Sequence, residues 1–292
     1  MNHTPVAVLR SVLYVPASNT KALGRAPTLG ADALILDLED SVAPQAKETA
    51  RGQAHDTTLA LAGAPLLCTV RINGLGTDLW SADVDRVFPA RVGALVVPKV
   101  ERVEELAPLD HRLGQLEAAR GDDHPCPIWP MIETPLGVIN AFAIASHPRV
   151  ACLVMGVNDL AHAMRLKPGV GTGPLKFALQ QTILAARAAG RMILDGVFVN
   201  IRDPEGYAAQ CRESALLGFD GKTIIHPSQV EPANLAFGPG EEEIARAEKI
   251  VREWEAASSR GEEICVVDGQ LVERLHADQA RRILAMARLS IR

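Results

Sequence analysis

The chain has 292 residues, 48% hydrophobic and 22% charged, with a net charge of −5; this is ordinary globular material, enough for one large domain or two modest ones. The acidic balance excludes a general polyanion binder, and an aromatic content of 4% excludes a stacking platform for nucleic acid. No apolar run approaches the roughly 18 residues of a membrane span, and the five cysteines are scattered without C-x-x-C spacing, so a cytoplasmic protein with reduced thiols and no membrane partner is expected.

Short β-branched runs alternate with helical stretches from the start of the chain. Residues 11–15 form the first run, closed by Pro16 and followed by a helical pattern to about residue 29. The second run, 33–39, leads to a helix that opens near Pro44 and continues to about residue 61. Further runs cover 66–73, 93–99, 128–134, 151–156, 192–199 and 223–226, each followed by helix-compatible sequence. About eight such units within roughly 230 residues predict an α/β fold, a (β/α)8 TIM barrel. The rival doubly wound sheet usually carries fewer strands, and no G-x-G-x-x-G fingerprint opens the first helix. The barrel is assigned to residues 1–257. The remainder, 258–292, is a C-terminal helical lid or extension: a polar stretch, a β-like piece, the turn Asp268-Gly269 and a helix from about Asp278.

A barrel collects its chemistry at the C-terminal strand ends. Here those ends carry Pro16, Asp37-Leu-Glu39-Asp40, Arg71-Ile-Asn73, Pro98-Lys99, Glu133-Thr134-Pro135, Asn158-Asp159 and His226-Pro227. Charged groups so close to strand interiors are expensive unless paired or metal-bound. Glu133 and Asp159 come from neighbouring strands. They are either a two-carboxylate site of the kind Mg²⁺ favours or partners of Arg71 and Lys99 in salt bridges. Arg71 offers a planar fork for a carboxylate or an enolate oxygen. Of Asp37 and Glu39 only one is expected to face the site, and Glu39 and Asp40 are taken as rim groups. Lys47 and Arg51, four apart, read as an exposed helix face, and His162 as a solvated histidine. Gly169-Val-Gly171-Thr-Gly173 lacks the Lys and Ser/Thr of a P-loop, so it reads as a flexible loop.

Seven stretches in order resemble the citrate lyase β-subunit-like family of acyl-CoA lyases. They are Arg10-Ser-Val-Leu-Tyr-Val-Pro16, residues 30–44, Val70-Arg-Ile-Asn73, Val97-Pro-Lys99, Met131-Ile-Glu-Thr-Pro-Leu-Gly137, Gly156-Val-Asn-Asp-Leu160 and residues 218–229. The resemblance implies a Mg²⁺-dependent lyase that cleaves a citramalyl-, malyl- or citryl-CoA-like thioester to acetyl-CoA and a keto acid. Coenzyme A is then part of the substrate, and the enzyme a trimer-based homo-oligomer. Glu133 and Asp159 match the family's metal ligands and Arg71 its substrate-contacting arginine. Pro16, Glu39, Asp40, Lys99 and His226 complete the expected substrate-binding set. In many members an Asp of the C-terminal lid, reaching a neighbouring subunit, protonates the product enolate. This sequence has Glu273 at that position, in Val267-Asp-Gly-Gln-Leu-Val-Glu273, with Asp268 a less suitable substitute. Three alternatives remain at this point: an aldolase of free hydroxy-keto acids, a malyl-CoA-type thioesterase and a non-catalytic subunit.

Overall fold

A computed structural model describes residues 8–121, 125–167 and 171–290. Eight parallel strands close on one another in sequence order. They are β1 (Ser11–Pro16), β2 (Ala33–Asp37), β3 (Leu67–Arg71), β4 (Leu95–Val97), β5 (Ile128–Ile132), β6 (Cys152–Met155), β7 (Met192–Asp195) and β8 (Gly221–Ile224). Closure through β8 and β1, with Thr223 opposite Val12, is the (β/α)8 TIM barrel expected from the alternation. The connecting helices are α1 (Thr20–Arg25), α2 (Lys47–Ala60), α3 (Trp80–Val87), α4 (Ala107–Arg120), α5 (Pro135–Ile139), α6 (Ala141–Ala145), α7 (Val157–Ala163), α8 (Lys176–Ala188) and α9 (Pro204–Leu217). After β8 come α10 (Val230–Phe237), α11 (Glu241–Ser259), β9 (Ile264–Val267), β10 (Gln270–Glu273) and α12 (Arg274–Ser290).

The barrel interior is filled from alternate strand positions, among them Val12, Ala33, Ile35, Val96, Met131 and Val154, with Tyr14 and Leu67 packed against them. Two residues beyond Ile35 on the same face stands Asp37, and two beyond Met131 stands Glu133. The apolar filling therefore gives way to carboxylates at the C-terminal end. Strand register aligns the strand ends, with Pro16 opposite Asp37 and Asp37 opposite Arg71.

The chain divides into two compact units, Leu9–Ala233 and the segment from Asn234 onward. The second has its own small core of Trp254, Val267, Val272 and Ala277, with Ile250 and Cys265 packed on it. It takes in α11, most of which lies before residue 258, because Trp254 and Ile250 of that helix pack with the β9–β10 hairpin and α12. Among the described residues no helix is long and apolar enough to cross a membrane.

Candidate active site

The end of β5 is built as a strand-to-helix switch. Thr134 caps α5 by accepting the Gly137 N–H on its hydroxyl at 3.1 Å, and Pro135 occupies the first helical turn. Glu133 is held between the two elements and is 1% exposed. One carboxylate oxygen, Oε1, accepts the Lys99 backbone N–H at 2.7 Å. Lys99 makes that bond from a left-handed backbone, φ 55°, a costly conformation for a non-glycine residue. The other oxygen, Oε2, is buried and has no hydrogen-bond partner among the described residues. Gly156, after β6, lies against this carboxylate so closely that a Cβ there would overlap Glu133.

Three residues later Asp159 stands exposed in the first turn of α7. It lines, with Glu133, Arg71, Asp37, Tyr14 and Pro16, a cavity of about 260 Å³ at the C-terminal end of the barrel. Burial, and then the neighbouring Asp159 charge, push the Glu133 carboxyl up to about 7. An orphaned buried oxygen on one carboxylate, with a second carboxylate lining the same cavity, fits a hard divalent cation. Among the described residues no three His, Cys, Asp or Glu side chains cluster to hold a metal. Two protein carboxylates would thus leave several coordination positions to water and substrate, as Mg²⁺ prefers.

Arg71, at the end of β3, is fixed by a double hydrogen bond to Asp37, Nε to Oδ1 at 2.6 Å and Nη2 to Oδ2 at 2.7 Å. Its Nη1 forms an ion pair with Glu39 Oε2 at 2.9 Å. Burial raises the Asp37 carboxyl, but the Arg71 bonds outweigh it and leave the carboxyl below its ordinary value. The expectation that only one of Asp37 and Glu39 faces the site is corrected: both reach Arg71. Residues two apart on an extended chain share a face, and Asp37 also accepts the Glu39 backbone N–H at 2.9 Å, which curls the chain back after β2. Glu39 in turn binds Lys99 Nζ at 2.7 Å, and Asp40, 64% exposed, lies 3.8 Å from the same nitrogen at the rim.

Lys47 and Arg51 are likewise corrected from an exposed face to internal ties. Lys47 Nζ donates to the carbonyls of Leu38 and Glu39 at 2.6 and 2.7 Å and to Asn73 Oδ1 at 2.7 Å. Arg51 binds the buried Asp83 at 2.7 Å, and Asp83 accepts both N–H groups of Asn73. These bonds brace the loops after β2 and β3, which carry Glu39 and follow Arg71. His162 is exposed on α7, as a solvated histidine would be. His226 is exposed and caps the turn 227–229, its Nδ1 accepting the Ser228 N–H at 3.2 Å, and it is not among the cavity-lining residues. Residues 168–170 of the glycine-rich loop lie outside the described residues.

Sequence reasoning passed over Tyr14 and the α1 cations. A groove of about 320 Å³ shares Tyr14, Pro16 and Ile225 with the cavity and is lined by Lys21 and Arg25. Both side chains are exposed and, among the described residues, make no hydrogen bond or ion pair. Their spacing, i and i+4 on a short helix after β1, was visible in the sequence. That they face a groove continuous with the site was not.

In the second unit Glu273 ends β10, is exposed, and donates its backbone N–H to His276 Nδ1 at 3.0 Å. Asp268 sits in the hairpin turn at φ 50° and is ion-paired to Lys249.

Known proteins resemble this chain over nearly its whole length. A (3S)-malyl-CoA thioesterase of Cereibacter sphaeroides is 40% identical over 278 residues, 95% of this chain and 94% of that protein. An L-malyl-CoA/beta-methylmalyl-CoA lyase of the same species is 33% identical over 98% of this chain and 96% of its own. The crystal structure of CitE from Mycobacterium tuberculosis in complex with magnesium, acetoacetate and coenzyme A superposes with a TM-score of 0.75 at 28% identity, covering 97% of this chain and 98% of that one. Residues 10–227, the span that carries every strand end described above, match the HpcH/HpaI aldolase/citrate lyase family, and the chain belongs to it.

Proposed function

We propose that the protein is a Mg²⁺-dependent carbon–carbon lyase acting on a 3-hydroxyacyl-CoA thioester of the citramalyl-, malyl- or citryl-CoA class, releasing acetyl-CoA and a keto acid. The observation that carries this reading is the Glu133–Asp159 pair, with an orphaned buried oxygen, beside an arginine immobilised on two carboxylates. Asp37, Glu39, Asp40, Glu133 and Asp159 outnumber Arg71 and Lys99, an excess of negative charge that a divalent ion offsets. Glu133 and Asp159 would hold it; when bound, Mg²⁺ supplies Lewis acidity to the carboxylate and hydroxyl of the acyl group. Arg71 cannot swing away from Asp37, so its remaining N–H bonds keep their aim at the cavity, preorganised for charge that develops on the thioester oxygen. Lys99 Nζ, half exposed, and Asp40 form the rim a substrate carboxylate or the CoA chain passes. Lys21 and Arg25 line the groove leading outward, which suits a phosphorylated carrier; magnesium and coenzyme A together are named for the M. tuberculosis CitE. Glu273 is the proposed proton donor to the product carbanion.

Incubation with Mg²⁺ and malyl-, citramalyl- and citryl-CoA, following acetyl-CoA and keto acid separately, tests the proposal. Stoichiometric acetyl-CoA and keto acid are expected from one of them; no reaction with any would sink it. A second reading, hydrolysis of the thioester, is favoured by the 40% identity to the (3S)-malyl-CoA thioesterase. It would appear as free CoA and the hydroxy acid without keto acid.

A further inference from the structure

Tyr14 has no part in the chemistry described so far, yet it stands in the cavity wall with Arg71, Met131 and Glu133. Its strand position gives the reason. Two residues beyond the core residue Val12 on β1, it is the last side chain of that inward face before Pro16. The Arg71 guanidinium lies over its ring, 5.0 Å from the centroid. The hydroxyl's hydrogen-bond partner is the Met131 thioether, at 3.7 Å, and Arg71 Nη1 stands 4.0 Å from that same sulfur. Sulfur is a weak acceptor. Two donors from different strands therefore converge on one weak acceptor in the cavity wall, the Arg71 nitrogen sharing itself between that sulfur and Glu39.

We propose that the Tyr14 hydroxyl is a catalytic hydrogen-bond donor that, with the Nη1–H of Arg71 not engaged by Glu39, holds the thioester oxygen of the acyl-CoA as negative charge gathers on it. The inference rests on the acyl-CoA reading above and names the group that completes its anion site. In cleavage the substrate hydroxyl loses its proton to solvent and its O–H electrons form the keto C=O. The carbon–carbon bond breaks, and its electron pair passes into the acetyl enolate, whose charge resides on the thioester oxygen. One proton then returns to the CH₂ carbon to give the methyl group of acetyl-CoA. Tyr14 and Arg71 keep their protons throughout. Burial, despite the opposing effect of Arg71, pushes the Tyr14 hydroxyl up, so it is a neutral donor through the physiological range. In hydrolysis the same oxygen carries the charge of the tetrahedral adduct, and the same two donors face it.

The substitution Tyr14→Phe keeps the ring under Arg71 and removes only the donor. Loss of one preorganised donor is expected to lower kcat on the order of 10²-fold, with KM changed by less than about threefold. Deuterium exchange from D₂O into the acetyl-CoA methyl group should fall in parallel, while Mg²⁺ affinity by calorimetry and the melting temperature stay as in the parent. Parent-like kcat and exchange in the variant would overturn the role of Tyr14 and leave the acyl-CoA reading standing. A kcat loss matched by an equal loss of Mg²⁺ affinity would also overturn it, since Tyr14 would then act by assembling the site. A parent enzyme that neither cleaves, hydrolyses nor exchanges any of these thioesters would remove the acyl-CoA reading, and this inference with it.

Discussion

A buried carboxylate oxygen without a partner, as in Glu133, opposes the fold unless something binds it. The sign of that effect can be measured. Folding raises the Glu133 carboxyl from 4.5 to about 7, so it is protonated more readily in the folded than in the unfolded chain. Its contribution to stability is therefore fully present below the unfolded value and is lost as pH rises through 7. Without metal, Glu133→Gln should make the protein more stable than the parent at pH 8, by on the order of 2 kcal/mol, and nearly neutral at pH 4. Urea unfolding in EDTA at the two pH values checks this. With metal the order reverses: the parent gains a Mg²⁺-dependent rise in melting temperature, and the variant shows none. Mg²⁺ must compete with the Glu133 proton, so its affinity for the parent should be roughly tenfold weaker at pH 6 than at pH 8 by calorimetry. Asp37 has the opposite character, because its carboxyl is held below its ordinary value by Arg71. Asp37→Ala would strand a buried guanidinium, costing about 3–5 kcal/mol in unfolding free energy and most of kcat/KM. A variant as stable and active as the parent would mean that Glu39 alone fixes Arg71.

Elements, rather than single residues, explain why the site is where it is. The stretch Glu133-Thr134-Pro135-Leu-Gly137 is one device: the strand ends, the threonine caps, the proline starts the helix, and the carboxylate is left at the junction. Its partner is the strand end at Gly156, where the absence of a side chain admits Glu133. Gly156→Ala should therefore weaken Mg²⁺ binding by at least about tenfold while the barrel persists by circular dichroism. Unchanged affinity would show that Glu133 has room to move. The strand ends and the capped junction are legible in the sequence because both depend on neighbouring residues and a short period. The Asp37–Arg71 clamp is not, since it depends on the register of β2 against β3, which sets Asp37 opposite Arg71. The same limit hides Lys47. Its three acceptors come from two separate loops, and helix periodicity alone makes it look like a surface lysine. Tyr14 reads as one more apolar strand residue until Arg71, from another strand, is found above its ring.

At the scale of the whole molecule, eight repeated β/α units announce a barrel, because hydrophobic periodicity accumulates over the chain. The boundary of the second unit was less legible, since α11 has the same amphipathic look whether it packs on a barrel or on a hairpin and a neighbouring helix. The proposed donor, Glu273, belongs to that second unit, and its carboxylate makes no hydrogen bond or ion pair among the described residues. The family resemblance implies that such a donor serves a neighbouring chain in a homo-oligomer, and that arrangement has a numerical signature. Glu273→Gln alone should retain Mg²⁺ affinity and lose turnover, and Glu133→Gln alone should lose both. Co-refolded in equal amounts, the two inactive variants create some sites that draw Glu133 from one chain and Glu273 from the next. Random assembly makes those about one quarter of all sites, so the mixture should recover about 25% of parental turnover. If each chain instead protonates its own product, no site in the mixture has both groups, and activity stays at the level of the separate variants. Mass spectrometry of the mixture must show mixed assemblies for the comparison to hold. Parental turnover by Glu273→Gln on its own would argue against both arrangements and point to a donor other than Glu273.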